Sequence, residues 1–386
     1  MRIGLDGLPL NQQLTGVGYY TLELARALAE HSPDSQFNII SPRPYIFRDP
    51  APSGRDGLPA NIRLVSARTN LVTRRWWSIG LPRYLAKHPH DVFHGTNFEV
   101  PLWTNSRCAT VITIHDLSLL LHPRTHQARS VRRAQRRLPR MADAATIVIT
   151  PTESVREEVC EQLGITREKV LAVPEAARRV FRPMAPHEAE VIRRRLRIND
   201  DFLLFVGTIE PRKDLRTLVQ AFEEVAQVHK TLQLVIAGKR GWLVEDLLKQ
   251  IRKSRFADRI RLTGYLDDED LRALYSSCRV FVYPSIYEGF GLPPLEAMAC
   301  GATVITTRIP SVVEVCDDAA LLVDPASSTA LVREIREVLT NENLRTKLEK
   351  ASLRRASEYS WKQTAGLTLE VYEEAVKRFR KTLAAS

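Results

Sequence analysis

The sequence predicts an α/β protein built from two doubly wound parallel-sheet domains. Short runs of β-branched residues alternate with amphipathic stretches through both halves of the chain, which is typical of parallel strands joined by covering helices. The 386 residues also exceed what one hydrophobic core usually serves. Pro183 and Pro186 precede a basic helical stretch that begins at Glu188, so we place the linker there. The expected domains are residues 1–182 and 183–365.

Each half is expected to contribute six strands. In the first half these are residues 3–6, 37–40, 62–65, 91–94, 110–115 and 146–150. In the second half they are residues 202–207, 232–238, 260–264, 280–284, 303–306 and 321–324. The helical spacing of Leu367, Val371 and Ala375 predicts a last helix over residues 361–380. Because ligands of doubly wound sheets bind beyond the carboxyl ends of the strands, polar residues at those ends are candidate site residues.

The composition favours a protein of a reducing compartment. The five cysteines are scattered and form no C-x-x-C pair, which argues against a disulfide framework and against a zinc site. Met1 and Arg2 lead directly into the first predicted strand without a signal peptide, and no apolar run approaches the roughly 18 residues of a membrane span. We therefore expect a cytoplasmic location.

The net charge of +11 falls mostly in the first half of the chain. Arginines cluster in residues 124–140 at three- and four-residue offsets, which puts several guanidinium groups on one helical face. An anionic membrane or an anionic acceptor would suit this face, so peripheral contact with the inner face of the plasma membrane is one expectation, and a merely solvated helix is the other. No zinc-finger spacing or RNP-like motif accompanies the arginines, so we expect no nucleic-acid binding.

The segment that begins at Glu288 and ends at Glu296 predicts a ligand site at a helix start. It reads Glu-Gly-Phe-Gly-Leu-Pro-Pro-Leu-Glu. Gly289 and Gly291 allow positive φ and a close approach of the backbone to a ligand, and the prolines suit the first helical turn, where no amide donor is needed. Carboxylates bind hydroxyls, so the two glutamates could contact different parts of one polyhydroxylated ligand. A capped helix with two solvated glutamates is the alternative.

Two further turns carry signals for phosphate. Gly16 and Gly18 open a predicted helix, whose N-terminal amides and partial positive charge favour an anion. The full dinucleotide-binding fingerprint is absent, because a third glycine is missing. Arg212 and Lys213 follow the first strand of the second half, where two adjacent cations could clamp a pyrophosphate. A simple turn is the alternative in both cases.

Histidines lie at the ends of two strands of the first half. His94 and His115 would bring two imidazoles to one edge of the sheet, where a histidine can orient a hydroxyl. A histidine that is satisfied inside the protein is the alternative. No third residue with zinc-ligand spacing accompanies them. The acidic run at residues 267–270 is interpreted as a helix cap rather than as a metal site.

Together these segments resemble the retaining glycosyltransferases of family 4, also called glycosyl transferases group 1. The resemblance covers nearly the whole chain, and its motifs occur in family order at residues 15–18, 94–97, 115–116, 207–213, 237–239, 264–265, 288–296 and 298–301. It implies the GT-B fold, in which two Rossmann-like domains face each other across a cleft. It also implies that a C-terminal helix, at about residues 366–386, packs back on the first domain.

The resemblance implies that the second domain holds a donor, a GDP- or UDP-linked sugar. Glu296 would bind the ribose, Glu288 would bind the transferred sugar, Arg212 and Lys213 would hold the diphosphate, and His115 would lie near the reacting centre. Further donor-binding residues are expected to be Gly16, Val17, Gly18, Thr208, Lys239, Tyr265, Gly289, Phe290, Gly291 and Leu292. No metal, no other cofactor and no protein nucleophile are implied. The first domain would bind a saccharide or lipid-linked acceptor in cell-surface glycan synthesis.

The chain also departs from the family pattern. Thr208 stands where many relatives have arginine, which would place more of the diphosphate neutralisation on Arg212 and Lys213. Residues 313–318 differ beside the expected donor pocket, whereas residues 207–213 and 238–242 resemble mannosyltransferase-type members, so GDP-mannose is the expected donor. The alternatives are a nucleotide-sugar epimerase or phosphorylase of the same fold, or a non-catalytic basic binder of membrane or nucleic acid.

Overall fold

The computed structural model describes residues 1–45, 58–101, 108–198 and 201–385, and it divides into two compact units. The first unit comprises residues 1–117, 132–175 and 360–386, and the second comprises residues 118–131 and 176–359. The chain changes unit between residues 175 and 176, a few residues before the boundary placed at residue 182. Phe181 packs edge-on against Tyr275, and the amide of Met184 donates to Ser276, so this stretch already packs within the second unit.

The first unit contains a seven-stranded parallel sheet. Its strands are β1 (Arg2–Asp6), β2 (Gln36–Ser41), β3 (Ile62–Ser66), β4 (Val92–Gly95), β5 (Ala109–Thr113), β6 (Ile147–Thr150) and β7 (Val170–Ala172), in the spatial order β3-β2-β1-β4-β5-β6-β7. All six predicted strands are present, with ends that differ by at most two residues. The edge strand β7 is additional, because three residues are too few to show an alternating pattern.

The second unit contains a six-stranded parallel sheet. Its strands are β8 (Phe202–Val206), β9 (Gln233–Ala237), β10 (Ile260–Gly264), β11 (Val280–Tyr283), β12 (Val304–Thr307) and β13 (Ala320–Val323), in the order β10-β9-β8-β11-β12-β13. Every residue of β8, β9, β11 and β12 is buried, as expected for strands that are covered on both faces. The apolar core of the unit is continuous around these strands.

Helices cover the sheets. Those of the described residues are α1 (Gly16–His31), α2 (Leu81–Lys87), α3 (Ser118–Leu121), α4 (Ala128–Ala144), α5 (Glu153–Leu163), α6 (Pro186–Leu196), α7 (Leu215–Val225), α8 (Glu245–Lys253), α9 (Asp268–Ser277), α10 (Leu292–Ala299), α11 (Pro310–Cys316), α12 (Ser328–Thr340), α13 (Glu342–Ser357) and α14 (Trp361–Ala385). Within the described part of the chain, no helix is long and apolar enough to cross a membrane.

The C-terminal helix α14 packs within the first unit, as the resemblance implies. It lies against α1 and β5, and its Tyr372 is fully buried. The Tyr372 hydroxyl forms a 2.8 Å hydrogen bond with Nδ1 of His94, and the Thr364 hydroxyl donates to the carbonyl of Pro174 at 2.7 Å. The helix begins at Trp361, which is the start that the helical spacing predicts, and Trp361 lies beside the Tyr20 ring.

Each sheet has one point at which the strand order reverses. In the first unit it lies between β1 and β4, and in the second it lies between β8 and β11. The loops that follow the two strands leave the sheet in opposite directions there and open a crevice, which is where doubly wound sheets bind ligands. In the second unit the two loops at the reversal point follow residues 206 and 283. They contain the predicted motifs at residues 207–213 and 288–296.

Candidate functional site

A sharp turn places Arg212 and Lys213 at the end of β8. Gly207 has φ 155° and a 3₁₀ turn spans Pro211–Lys213, after which Asp214 has φ 46° and precedes α7. The Arg212 carbonyl accepts from the amide of Ile286, which joins this turn to the loop after β11. The two loops at the reversal point are therefore held together by the backbone as well as by side chains.

Two cations and two carboxylates form a buried cluster at this point, which we call the quartet: Glu210, Arg212, Lys213 and Glu288. Glu288 Oε1 accepts from Lys213 Nζ, and Glu288 Oε2 lies 2.9 Å from Arg212 Nη1. Glu210 Oε1 accepts from Arg212 Nη2 at 2.8 Å. All four side chains are between 4% and 11% exposed. Glu288 thus holds one cation on each of its oxygens, which keeps the two cations adjacent.

Electrostatics keep Glu288 ionised inside the quartet. Burial alone would raise the pKa of its carboxyl, but Arg212 and Lys213 outweigh burial and lower that pKa to about 2. Burial lowers the pKa of Lys213, and the charge of Arg212 lowers it further, while Glu288 and Glu210 act against both. Lys213 Nζ also donates to the Tyr283 hydroxyl at 2.6 Å. The cluster is a set of compensated charges.

Glu288 is followed by a turn that leads into α10. Gly291 has φ 101°, a region that favours glycine, and serves as the N-cap of α10 without a side-chain hydrogen bond. The Ser311 hydroxyl donates to the carbonyl of Glu288, which fixes the loop from the far side. Phe290 is buried against the ring of Tyr359, so its side chain anchors the turn. Gly289 is buried within the turn, and Leu292, the first residue of α10, is half-buried.

Glu296 lies within α10 and has different partners from Glu288. Its Oε1 is 3.2 Å from Arg178 Nε, and its Oε2 accepts from the Tyr275 hydroxyl at 3.3 Å. Arg178 also donates to Asp268 at 2.7 Å. Burial raises the pKa of Glu296, against the opposing charge of Arg178. The two glutamates of the motif therefore belong to separate networks, and their separate roles stay a prediction.

Three other predicted residues lie at the same edge of the second sheet. Lys239 follows β9 and is exposed, and its carbonyl accepts from the amide of Ile209 at 2.9 Å. Tyr265 follows β10 and is 43% exposed. Thr208 lies in the turn after β8 and is half-buried. These positions agree with a site at the carboxyl ends of the strands, and their roles stay predictions.

In the first unit the glycines at the start of α1 differ from one another. A Cβ on Gly18 would lie 3.0 Å from Leu14 and 3.1 Å from the Pro9 carbonyl, so a side chain there would crowd its neighbours. A Cβ on Gly16 would meet nothing within 4 Å, and Gly16 is exposed. Val17 is half-buried between them. Gly16 is the position of the three that is open to a ligand.

The two predicted histidines have different environments. His94 is fully buried between Tyr372 and Thr113, and burial, with the charge of His115, lowers its pKa to about 3. It is a neutral, satisfied histidine, which was the alternative interpretation. His115 follows β5, and its ring nitrogens lie 2.9 Å from Glu175 Oε1 and 2.9 Å from the Thr96 carbonyl. Both of its ring nitrogens therefore have partners within the protein, and its role near a reacting centre stays a prediction.

The acidic run at residues 267–270 provides the N-terminal cap of a helix. The Asp267 carboxylate accepts from the Asp270 amide at 2.9 Å and is the N-cap of α9. Across the described ranges, no group of three or more histidine, cysteine, aspartate or glutamate side chains is arranged to hold a metal ion.

Sequence reasoning missed several members of these networks. Glu210 lies inside the recognised motif at residues 207–213. Its position two residues before Arg212 could have identified it as a partner of that cation. Arg178 and Glu175 carry no such signal, because Arg178 is 118 residues from Glu296 and Glu175 is 60 residues from His115 in the chain. Tyr275 and Tyr283 are indistinguishable in sequence from other core aromatics.

Comparisons with known proteins point to one enzyme family for both halves. Residues 14–176 match the sequence model described as Glycosyltransferase Family 4, and residues 188–355 match Glycosyl transferases group 1. The O-antigen chain mannosyltransferase B of Escherichia coli is 29% identical over 97% of this chain and 100% of its own length. The serotype-specific mannosyltransferase WbdA of Escherichia coli is 30% identical over 62% of this chain, and the match covers 30% of WbdA.

Among solved structures, Anabaena HepE in complex with UDP and glucose has a TM-score of 0.73 and 16% identity, over 96% of this chain and 99% of HepE. This likeness concerns the fold, and it confirms the predicted GT-B class. Because models of this family match both halves of the chain and the sheets have the expected topology, the chain belongs to the family 4, or group 1, glycosyltransferases.

Proposed function

We propose that this enzyme transfers mannose from GDP-mannose to a saccharide or lipid-linked acceptor during the synthesis of a cell-surface glycan. It is a hexosyltransferase, and the mannosyltransferase relative that it matches from end to end supports mannose as the hexose. The observation that carries the proposal is the quartet, which presents two adjacent buried cations at the reversal point of the second sheet. Adjacent cations are the groups that bind a diphosphate, and the reversal point of a doubly wound sheet is where its ligands bind.

The chemistry follows from the charges of the reaction. Breaking the bond between the anomeric carbon and the phosphate oxygen leaves positive charge on the sugar and adds negative charge to the diphosphate. Arg212 and Lys213 stabilise the departing diphosphate, because cations held in place beforehand need no reorganisation as the charge develops. Glu288 holds both cations before the donor binds and contacts the transferred sugar when it arrives. The scheme uses neither a metal ion nor another cofactor.

The proposed reaction retains the configuration of the sugar without a protein nucleophile. The acceptor hydroxyl attacks from the face that the phosphate leaves, and a phosphate oxygen takes its proton. Glu296 binds the ribose hydroxyls of the donor, with Arg178 and Tyr275 orienting the carboxylate. The first unit binds the acceptor, and His115 contributes at the reacting centre.

A panel of nucleotide sugars tests the donor. GDP-mannose should raise the Tm of the protein more than UDP-glucose, GDP or UDP, because a donor present far above its Kd adds several kcal/mol to the free energy of unfolding. The transfer assay then uses GDP-mannose with and without saccharide acceptors. Release of GDP that depends on an acceptor supports a transferase, whereas conversion of the sugar without an acceptor would point to an epimerase. Protection by UDP-sugars alone would overturn the choice of donor.

Variants separate the roles of the two glutamates. Glu296→Ala should weaken nucleotide binding, while Glu288→Ala should mainly slow transfer. Replacing both Arg212 and Lys213 by alanine should slow transfer about a hundredfold or more, by analogy with the loss of an oxyanion donor. Arg216→Ala, an exposed neighbour on α7, is the matched control and should leave transfer unchanged. Native transfer by the double variant would rule out the diphosphate role.

Attachment to an anionic membrane is part of the proposal. Helix α4 buries Val131, Leu138 and Met141 and exposes arginines on its other face. The exposed arginines are Arg129, Arg132, Arg133, Arg136 and Arg140. A helix whose apolar side is already packed can offer this face to lipid headgroups without unfolding, and each arginine near an anionic surface contributes about 1 kcal/mol.

A further inference from the structure

The ring of His115 is held by two oxygen atoms, one on each nitrogen. Nδ1 lies 2.9 Å from Oε1 of Glu175, and Nε2 lies 2.9 Å from the backbone carbonyl of Thr96. A carbonyl oxygen can only accept, so Nε2 must carry a proton. A carboxylate also only accepts, so Nδ1 must carry one too when Glu175 is ionised. With Glu175 ionised, the geometry therefore requires the doubly protonated imidazolium.

The surroundings isolate this pair from water. The side chain of His115 is 13% exposed and that of Glu175 is 5% exposed. The rings of Tyr20 and Phe98 contact the His115 ring edge-on, with centroids 4.6 Å and 5.9 Å away. A buried carboxylate is costly unless it is paired, and His115 is its partner here. The pairing is thus built into the first unit and does not depend on a ligand.

The other titratable groups near the ring do not oppose this state. Asp116 is the neighbouring acid and favours a positive ring, and His94 is neutral and hydrogen-bonded to Thr113 and Tyr372. Burial lowers the pKa of His115, but the hydrogen bond and charge of Glu175 outweigh burial, and the pKa lies above its ordinary value.

We propose that Glu175 is a positioning residue that holds His115 as a fixed imidazolium, and that transfer requires this charged form. The inference rests on the proposed function for the place of His115 at the reacting centre. Both ring N–H groups are already used by Glu175 and Thr96, so His115 acts as a fixed positive charge rather than as a proton donor. Glu175 is the last residue of its segment of the first unit, and the next residue, Ala176, belongs to the second.

The Glu175→Gln variant removes the negative charge at residue 175 and keeps the hydrogen-bonding geometry around the His115 ring. A glutamine can donate its amide N–H to Nδ1 while Nε2–H still donates to the Thr96 carbonyl, so both hydrogen bonds survive around a neutral ring. The expected result is a transfer rate close to that of the wild type at low pH and an alkaline limb of the kcat/KM profile that moves to lower pH by about 1 to 2 units. The direction follows because a raised pKa keeps the charged form to higher pH, and the variant loses that extension.

A second readout needs no substrate. ¹⁵N NMR of the histidine-labelled full chain distinguishes imidazolium from neutral tautomers, and His115→Gln identifies the His115 signal among the nine histidines. The wild type should show an imidazolium at pH 7, and Glu175→Gln should show a neutral ring. Glu157→Gln, an exposed glutamate of the same unit, is the matched control and should change neither readout.

The outcomes separate this inference from the proposed function. A neutral His115 in the wild type at pH 7 overturns the inference even if the transfer assay succeeds, and so does an unmoved alkaline limb in a folded Glu175→Gln protein. Absence of transfer from every nucleotide sugar overturns the proposed function instead, and the NMR result then still decides whether Glu175 holds the imidazolium. The wild-type spectrum alone can refute the inference, so the test remains decisive even if the Glu175→Gln protein does not fold.

Discussion

At the scale of single residues, the quartet shows why a motif of glutamates needs its cationic partners. Glu288 is buried, and a lone buried carboxylate would be protonated or would destabilise the fold. Arg212 and Lys213 reverse that outcome, since each occupies one of its oxygens. Glu210 then balances the second positive charge. The site is stable without ligand because its charges are matched in number.

The depressed pKa of Glu288 predicts a pH dependence of stability. Its pKa is about 2 in the folded protein and 4.5 in the reference state, so its contribution to the free energy of unfolding is complete above pH 4.5 and is lost as the pH falls toward 2. Denaturant titrations of the wild type at pH 5, 4 and 3 should show this loss. Glu288→Gln cannot titrate, so its stability should be lower at pH 5 and should fall less steeply. Parallel profiles for the two proteins would contradict the ionised state of Glu288.

At the scale of elements, the start of α10 depends on one backbone conformation. Gly291 has φ 101° and ψ 49°, which an L side chain adopts only with strain, although a Cβ there would touch nothing closer than 3.6 Å. Glycine is therefore favoured at residue 291 by the backbone conformation and not by steric crowding. The turn also positions Glu288, so strain at residue 291 should reach the quartet.

Gly291→Ala should destabilise the protein by about 1 to 2 kcal/mol and weaken donor binding, because strained φ at a non-glycine residue costs energy of this order. Gly366→Ala is the matched control. Gly366 lies inside α14, where a Cβ would be 3.4 Å from the His31 ring, so alanine should be tolerated or stabilise the helix by up to about 1 kcal/mol. Thermal and denaturant unfolding measure both changes. Equal effects of the two variants would show that the turn conformation does not matter.

The exposed face of α4 predicts binding to anionic vesicles. Sedimentation with phosphatidylserine vesicles should retain the wild type at low salt and release it as the salt concentration rises, since the attraction is screened. Arg132→Glu combined with Arg136→Glu should abolish retention, while Arg194→Glu, which changes an exposed arginine of α6, should have a small effect. Equal retention of both variants, or binding to neutral vesicles, would contradict a role for the α4 face.

At the scale of the whole molecule, the two ends of the chain are joined in one unit. Strand β1 starts the first sheet, and α14, at the other end of the chain, packs against α1 and β5 of the same unit. Tyr372 of α14 and His94 of β4 are 278 residues apart and share a buried hydrogen bond. The first unit is therefore complete only when the last helix has formed.

Tyr372→Phe should reduce the free energy of unfolding by about 1 to 3 kcal/mol, because removing the hydroxyl leaves a buried ring nitrogen of His94 without its partner. Denaturant unfolding measures the change. The transfer rate at a temperature well below the transition should remain close to that of the wild type, since neither residue touches the proposed reacting groups. An unchanged stability would show that the contact does not contribute to docking of α14.

Much of the fold followed from local patterns. Continuous apolar runs predict β8 and β9 because strands covered on both faces need them, and the prolines at residues 293 and 294 predict the start of α10 because the first helical turn needs no amide donor. Arg212, Lys213 and Glu288 were each recognised from motifs. Sequence patterns did not identify the short edge strand β7 or the position of the unit boundary, because both depend on packing partners that are distant in sequence.

The sequence by itself determined the fold class, the family, the strands that carry the site and the chemical types of its residues, because periodicity, turn residues and motif order are local properties. Only the tertiary structure decided how the charges pair. It placed Glu288 between two cations and paired Glu296 with Arg178. It also buried His94 with hydrogen-bond partners in the core and paired Glu175 with His115. These pairings join residues 19 to 278 positions apart, and burial decides their charge states, so spacing along the chain cannot reveal them.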